Sequence, residues 1–404
     1  MATTKVPHSP QMVFTGEDGN IFAWTPANKR QQQLTWSWEE HEGNKERDDE
    51  PVRLTHMWPA WAPDGNQIAC FGMRGTTETQ LDTSLYTVAA DGIESWELSG
   101  LSGGMPIYGN WSPQGHAFAA LIQREKQQLS LEIVHLDQPG KMTPTISGAP
   151  LFWSWSPQGD KLAVHVGGSH VSGNARVVVV DTSSGRILRQ ITDRPGDFRV
   201  PAWSPHDNLL TYVEHSDDSE DDVLFLYDVD SGEKGPVTAV GSGTVALWSA
   251  DGHALAFSST ARSGSSIFPR VNLLELSTGR TSPILEEPVI GFFWSPQGDF
   301  LLYTTVEQQQ SYLQWHRFMR ASGEKTELAR FLPSREQMFI LSFFDQYALS
   351  HPPLAPDGSA LAFAGYLITP TSATGSSYVY CLSLTDPISR PTKIAPGQFV
   401  SWNL

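Results

Sequence analysis

The sequence predicts an all-β fold built from one repeated four-stranded unit, and three observations predict it: a recurring phrase, its spacing, and a helix-poor composition. The phrase reads Trp61-Ala-Pro-Asp-Gly65, Trp111-Ser-Pro-Gln-Gly115, Trp155-Ser-Pro-Gln-Gly159, Trp203-Ser-Pro-His-Asp207, Trp248-Ser-Ala-Asp-Gly252, Trp294-Ser-Pro-Gln-Gly298 and Leu354-Ala-Pro-Asp-Gly358, and Phe399-Val-Ser-Trp402 supplies an eighth opening. Successive first positions lie 50, 44, 48, 45, 46, 60 and 48 residues apart, the length of four short strands and their turns. Gly 34, Pro 28, Trp 14 and Phe 19, with 18% charged residues, suit many strands joined by tight turns.

Each unit reads as a meander. An apolar strand ends on Trp, and Pro-x-Gly then turns the chain, Pro fixing φ and Gly tolerating a positive one. In the third unit the second strand is Lys161-Leu-Ala-Val-His-Val166 and the third is Val177-Val-Val-Val-Asp181. Thr182-Ser-Ser-Gly185 makes the next turn, and Ile187 to Thr192 is the outer strand. The N-terminal segments Met12-Val-Phe14, Ile21 to Trp24 and Gln32 to Thr35 make three strands that lack a first one, which Gly397 to Trp402 can supply. Pairing of the C-terminal strand with the N-terminal strands would close a ring and remove exposed sheet edges. The expectation is a single closed β-propeller domain over 1–404, of eight four-stranded blades, with seven blades and an insertion at 331–347 as the alternative count. Its 404 residues exceed one ordinary core, but a repeat architecture grows by adding units that pack only on their neighbours.

The Trp-Ser-Pro-Asp-Gly phrase followed by an apolar strand resembles the repeat of TolB-like propellers, also found in the propeller domains of prolyl-oligopeptidase-type peptidases. The resemblance spans essentially the whole chain. It implies a propeller whose repeats carry packing, with function grafted onto loops. No α/β-hydrolase stretch follows the repeats, so peptidase chemistry is not implied. Some related propellers are lyases, which keeps an enzyme with an axial site as the second class.

A net charge of −17 argues against binding to nucleic-acid phosphate or an anionic membrane surface. No apolar run reaches membrane-span length, and Met1 to Pro10 lacks the apolar core of an export signal, so a cytoplasmic location is expected. Cys70 and Cys381 sit in apolar runs of non-adjacent units and read as core residues without a disulfide. None of the metal spacings His-x-His, His-Glu-x-x-His or Cys-x-x-Cys occurs, and Asp217 to Asp222 lacks the glycine and alternation of a calcium loop; neither a metal nor a cofactor is expected. Gly100-Leu-Ser-Gly-Gly104 matches a nucleophile elbow in letters only, because no helix follows it.

The recurrent Trp residues are assigned to packing between adjacent units, since a position repeated in nearly every unit serves the repeat. The candidate binding residues lie at the channel mouth, just before each Trp: His56, Trp58, Tyr108, Phe198, Arg199, His351 and Gln398. Apolar groups mixed with a few polar ones suit a small-molecule or partner site. His56, Arg199 and His351, from separate units, could polarise a carboxylate or act as acid and base; alternatively Arg199 pairs with a loop acid and the histidines bind backbone. Variable connections, such as Trp36 to Arg53, Gly72 to Asp82 and His215 to Asp222, offer a second recognition surface. Phe331 to Phe344 is too apolar for a solvated loop. It either folds back as a lid or buries itself against a partner or a second copy. A scaffold for a protein partner or a small ligand is the leading expectation, and an axial lyase, isomerase or hydrolase the alternative.

Overall fold

A computed structural model describes residues 9–37, 53–75, 81–124, 128–168, 171–216, 221–262, 264–307, 312–368, 376–386 and 388–404. The chain is all-β and divides into two compact units. Unit one comprises 1–144, 350–365 and 374–404; unit two comprises 145–349 and 366–373. Most of the 36–53 connection, His170, and 217–220 of the acidic run lie outside the described residues.

With strands numbered along the chain, unit one holds β1 (Met12–Thr15), β2 (Ile21–Thr25), β3 (Arg30–Gln33), β4 (Arg53–Trp61), β5 (Gln67–Gly75), β6 (Leu81–Ala89) and β7 (Ser95–Gly100). It continues with β8 (Met105–Trp111), β9 (Ala117–Gln123), β10 (Leu129–His135) and β11 (Met142–Ser147), whose last three residues belong to unit two, and later β28 (Ala360–Leu367), whose last two do as well, β29 (Tyr378–Ser383), β30 (Thr392–Pro396) and β31 (Phe399–Trp402). β4 to β7 and β8 to β11 are four-stranded antiparallel meanders. β31 pairs antiparallel with β1, Met12 opposite Trp402 and Thr15 opposite Phe399, so the chain's last strand completes its first sheet. Ahead of β28, the degenerate Leu354 makes only an isolated bridge to Leu361.

Unit two holds β12 (Leu151–Trp155), β13 (Lys161–Gly168), β14 (Val171–Asp181), β15 (Ile187–Thr192), β16 (Ala202–Trp203), β17 (Leu209–His215), β18 (Asp222–Asp228) and β19 (Lys234–Val240). β20 (Val245–Trp248), β21 (Ala254–Ser258), β22 (Val271–Glu275), β23 (Arg280–Leu285), β24 (Val289–Trp294), β25 (Phe300–Glu307), β26 (Tyr312–Met319) and β27 (Lys325–Pro333) follow. They form four successive meanders, each begun by a recurrent Trp strand. After β27 come two short helices, α1 (Arg335–Ser342) and α2 (Phe344–Tyr347).

The repeat phrase makes the same local structure each time. In Trp155-Ser-Pro-Gln-Gly159 the Gly159 amide donates to the Ser156 carbonyl at 2.9 Å, and its φ of 70° is one a side chain would strain. The Ser156 hydroxyl accepts from the Lys161 amide and donates to Asp160. Ser249 and Ser295 repeat this, bonding Asp251 and Asp299.

The Trp residues act between sheets. Trp111 Nε1 donates to the Ala60 carbonyl at 3.0 Å, Trp248 Nε1 to Ala202 at 3.1 Å, and Trp294 Nε1 to Leu247 at 3.0 Å. Each acceptor immediately precedes the recurrent Trp of the sheet before, so one indole staples two neighbouring first strands. Around Trp111, Phe71 and Phe118 pack edge to face, which makes the inter-sheet layer aromatic.

Candidate functional site

In unit one β4, β8 and β31 each place one aromatic residue, Trp58, Tyr108 and Phe399, three positions before the recurrent Trp, and His351 holds the same offset before Leu354 in the bend ahead of β28. Their rings meet. Tyr108 and His351 have centroids 5.9 Å apart, His351 and Phe399 5.5 Å, and Trp58 and Phe399 5.8 Å. Tyr108, His351 and Phe399 are buried, whereas Trp58 is half-buried. Trp58 holds a φ of 53° where the register of β4 against β5 shifts, an unusual backbone state for a large side chain.

A hydrogen-bonded chain runs beside these rings. Tyr108 Oη lies 2.7 Å from Ser350 Oγ, which lies 2.8 Å from His351 Nδ1. Burial pushes the His351 imidazole down to about 3, so it is neutral near pH 7. His56, on β4, packs edge-on against Tyr86, and burial takes it down to about 4. Gln398 is half-buried, and its backbone N–H donates to the Thr15 carbonyl at the β31–β1 junction.

Unit two gathers Phe198 and Arg199 around different partners. Phe198 stacks on His165 with centroids 4.3 Å apart and planes 5° from parallel, while His165 Nδ1 lies 3.0 Å from the Arg199 carbonyl. Burial lowers His165 to about 4, against smaller opposing effects of that carbonyl and Asp197. The Arg199 guanidinium faces the helical insertion: Nη2 is 2.6 Å from Asp345 Oδ1, Nε donates to Asp345 Oδ2 at 3.2 Å, and Nη1 donates to the Ser342 carbonyl. It also lies over the Phe343 ring at 5.4 Å. Burial pushes the Asp345 carboxyl above its usual range, opposed by Arg199.

The insertion folds back onto its own unit. α2 lies against β12, β20 and β24, the first strands of three sheets. Phe344 enters a ring of Phe268, Phe292 and Phe293, with centroids 5.8, 4.7 and 5.9 Å away. Gly291 permits that approach, since a Cβ there would lie 3.2 Å from Phe344 Cγ. The Gln346 amide pairs with a strand edge, accepting from the Trp153 amide at 3.1 Å and donating to its carbonyl at 2.8 Å.

Trp58, Tyr108 and His351 thus come together in unit one, and Phe198 and Arg199 form a separate cluster in unit two. Phe399, His165, Asp345 and Gln346 are members that sequence reasoning missed. Phe399 had a signal, its place three before Trp402; the others depend on contacts between distant segments. Among the described residues no group of three or more His, Cys, Asp or Glu side chains is arranged to hold a metal ion, and no helix is long and apolar enough to cross a membrane.

The sequence matches no known family profile and no curated protein. Solved structures do resemble it. A eukaryotic initiation factor aligns over 98% of both chains with a TM-score of 0.56 at 11% identity. The fold is propeller-like. An oligogalacturonate lyase from Vibrio parahaemolyticus aligns over 81% of this chain and 84% of its own, with a TM-score of 0.51 and 11% identity. TolB from Acinetobacter baumannii aligns over 78% of this chain and 77% of its own at 15% identity, with a looser TM-score of 0.43. At such identities the likeness is one of fold.

Proposed function

We propose that the chain is a non-catalytic TolB-like propeller that presents its irregular loops and channel mouth to a protein partner or a small ligand. The proposed ring has eight blades: six four-stranded sheets, the four strands β24 to β27 as a seventh, and β28 to β30 with the Leu354–Leu361 bridge as a rudimentary first strand. Pairing of β31 with β1 would close it.

One observation supports binding over catalysis: the ionisable groups of the two clusters are buried or paired, each within its own unit. His56, His165 and His351 are buried and neutral near pH 7, far from the poise of a general acid or base. The Arg199 guanidinium is bound to Asp345 within its own chain.

A second reading, an axial lyase, isomerase or hydrolase, is favoured by the Tyr108–Ser350–His351 hydrogen-bonded chain. Capture from native lysate separates the two. Wild type and Trp58→Ala, matched for melting temperature, are compared by mass spectrometry of bound proteins and small molecules. A protein partner or an unchanged small molecule lost with Trp58 supports the scaffold; a captured metabolite that the wild type converts, and Trp58→Ala does not, supports the enzyme.

A further inference from the structure

The helical insertion touches unit two as a bound peptide would. Its four residues Phe343 to Gln346 make three kinds of contact that peptide-recognition sites use. An aromatic side chain, Phe344, fills a ring of three phenylalanines above Gly291. A carboxylate, Asp345, 5% exposed, takes two nitrogens of Arg199. A planar amide, Gln346, meets the N–H and C=O of Trp153 on the inner edge of β12, reproducing the pair of bonds that an added strand would make. Pocket, charge partner and strand edge all belong to the scaffold, and only their occupant comes from the insertion.

We propose that residues 343–346 are an internal ligand, holding in cis a site that fits a partner peptide with an aromatic residue followed by an acidic and then an amide residue. The inference rests on the scaffold reading and names the partner chemistry for one of its surfaces. Tethering gives the internal segment an effective concentration on the order of millimolar, so a partner must present its segment at high local concentration or bind elsewhere as well.

The test uses the full chain and a fluorescein-labelled peptide of sequence Ser-Phe-Phe-Asp-Gln-Tyr-Ala, copied from 342–348. Asp345→Ala with Gln346→Ala releases the internal ligand and should bind the peptide saturably, at least tenfold more tightly than wild type. Adding Arg199→Ala, or replacing the peptide's Asp by Asn, should reduce that binding at least tenfold. A folded double variant that binds no better than wild type, or whose binding survives Arg199→Ala, overturns the proposal. Should the double variant fail to melt cooperatively, hydrogen exchange on the wild type decides. Millimolar peptide should speed exchange across 335–347, and unchanged exchange there overturns the proposal equally. Either failure leaves the lysate capture interpretable, because that capture reads Trp58 in unit one.

Discussion

Trp111→Phe keeps an aromatic ring near Phe118 but removes the Nε1–H that binds the Ala60 carbonyl. We predict a loss of about 1 kcal/mol, against about 3–5 kcal/mol for Trp111→Ala, which also leaves a cavity; urea denaturation separates the two. Equal losses would mean that the indole nitrogen has no role between sheets. A second prediction concerns the buried histidines. Their folded values of about 4, 4 and 3 lie below the 6.5 of an unperturbed imidazole, so the unfolded chain binds protons that the fold refuses. The stability they contribute is therefore complete above pH 6.5 and is lost as the pH falls from there towards 4. The urea midpoint should drop steeply across that window, and His351→Gln should flatten the drop. A pH-independent midpoint would contradict the burial described.

At the scale of elements, the insertion depends on one missing side chain. Gly291→Ala places a methyl against Phe344, which must shift or unpack, so we predict a destabilisation of about 1–3 kcal/mol. Hydrogen exchange should rise across α1 and α2 while remaining slow in β12 to β15; uniform exchange would show that the insertion is not docked through Phe344. These elements also mark how far the sequence could be read. The sheets were legible because Trp, Ser-Pro and Gly recur at fixed offsets, and each offset maps onto one bond, such as Ser156 to Asp160. The apolarity of Phe331 to Phe344 made its burial legible but left open whether it folds back or meets a partner or second copy, and the helix start had a signal in Ser334-Arg-Glu-Gln337, where Ser334 Oγ accepts from the Gln337 amide. The grip of Asp345 on Arg199 was not legible in the same way. The two residues are 146 apart, and the sequence offered only an unnamed loop acid as a partner for Arg199. Likewise Gln398 was read as the mouth residue where Phe399 makes the ring contact, because a one-residue step along a strand turns a side chain to the other face.

For the whole molecule, the pairing of β31 with β1 predicts what loss of the last strand does. Deleting 399–404 removes Phe399, Val400 and Trp402 from the core and bares the edge of β1. The shortened chain should melt lower and self-associate, as unprotected sheet edges do, which sedimentation would detect. The proposed function, binding rather than catalysis, rests on the burial of His56 and His351 in unit one and of His165 in unit two. Nuclear magnetic resonance of the imidazole nitrogens in the intact protein tests it most directly. The account predicts that His56, His165 and His351 stay neutral as the pH is lowered until about 4, with no transition near neutrality. A transition in any of the three between about pH 6 and 8, where a general acid or base works, would contradict it, and one in His351 would turn the Tyr108–Ser350–His351 chain into the leading candidate for an active site.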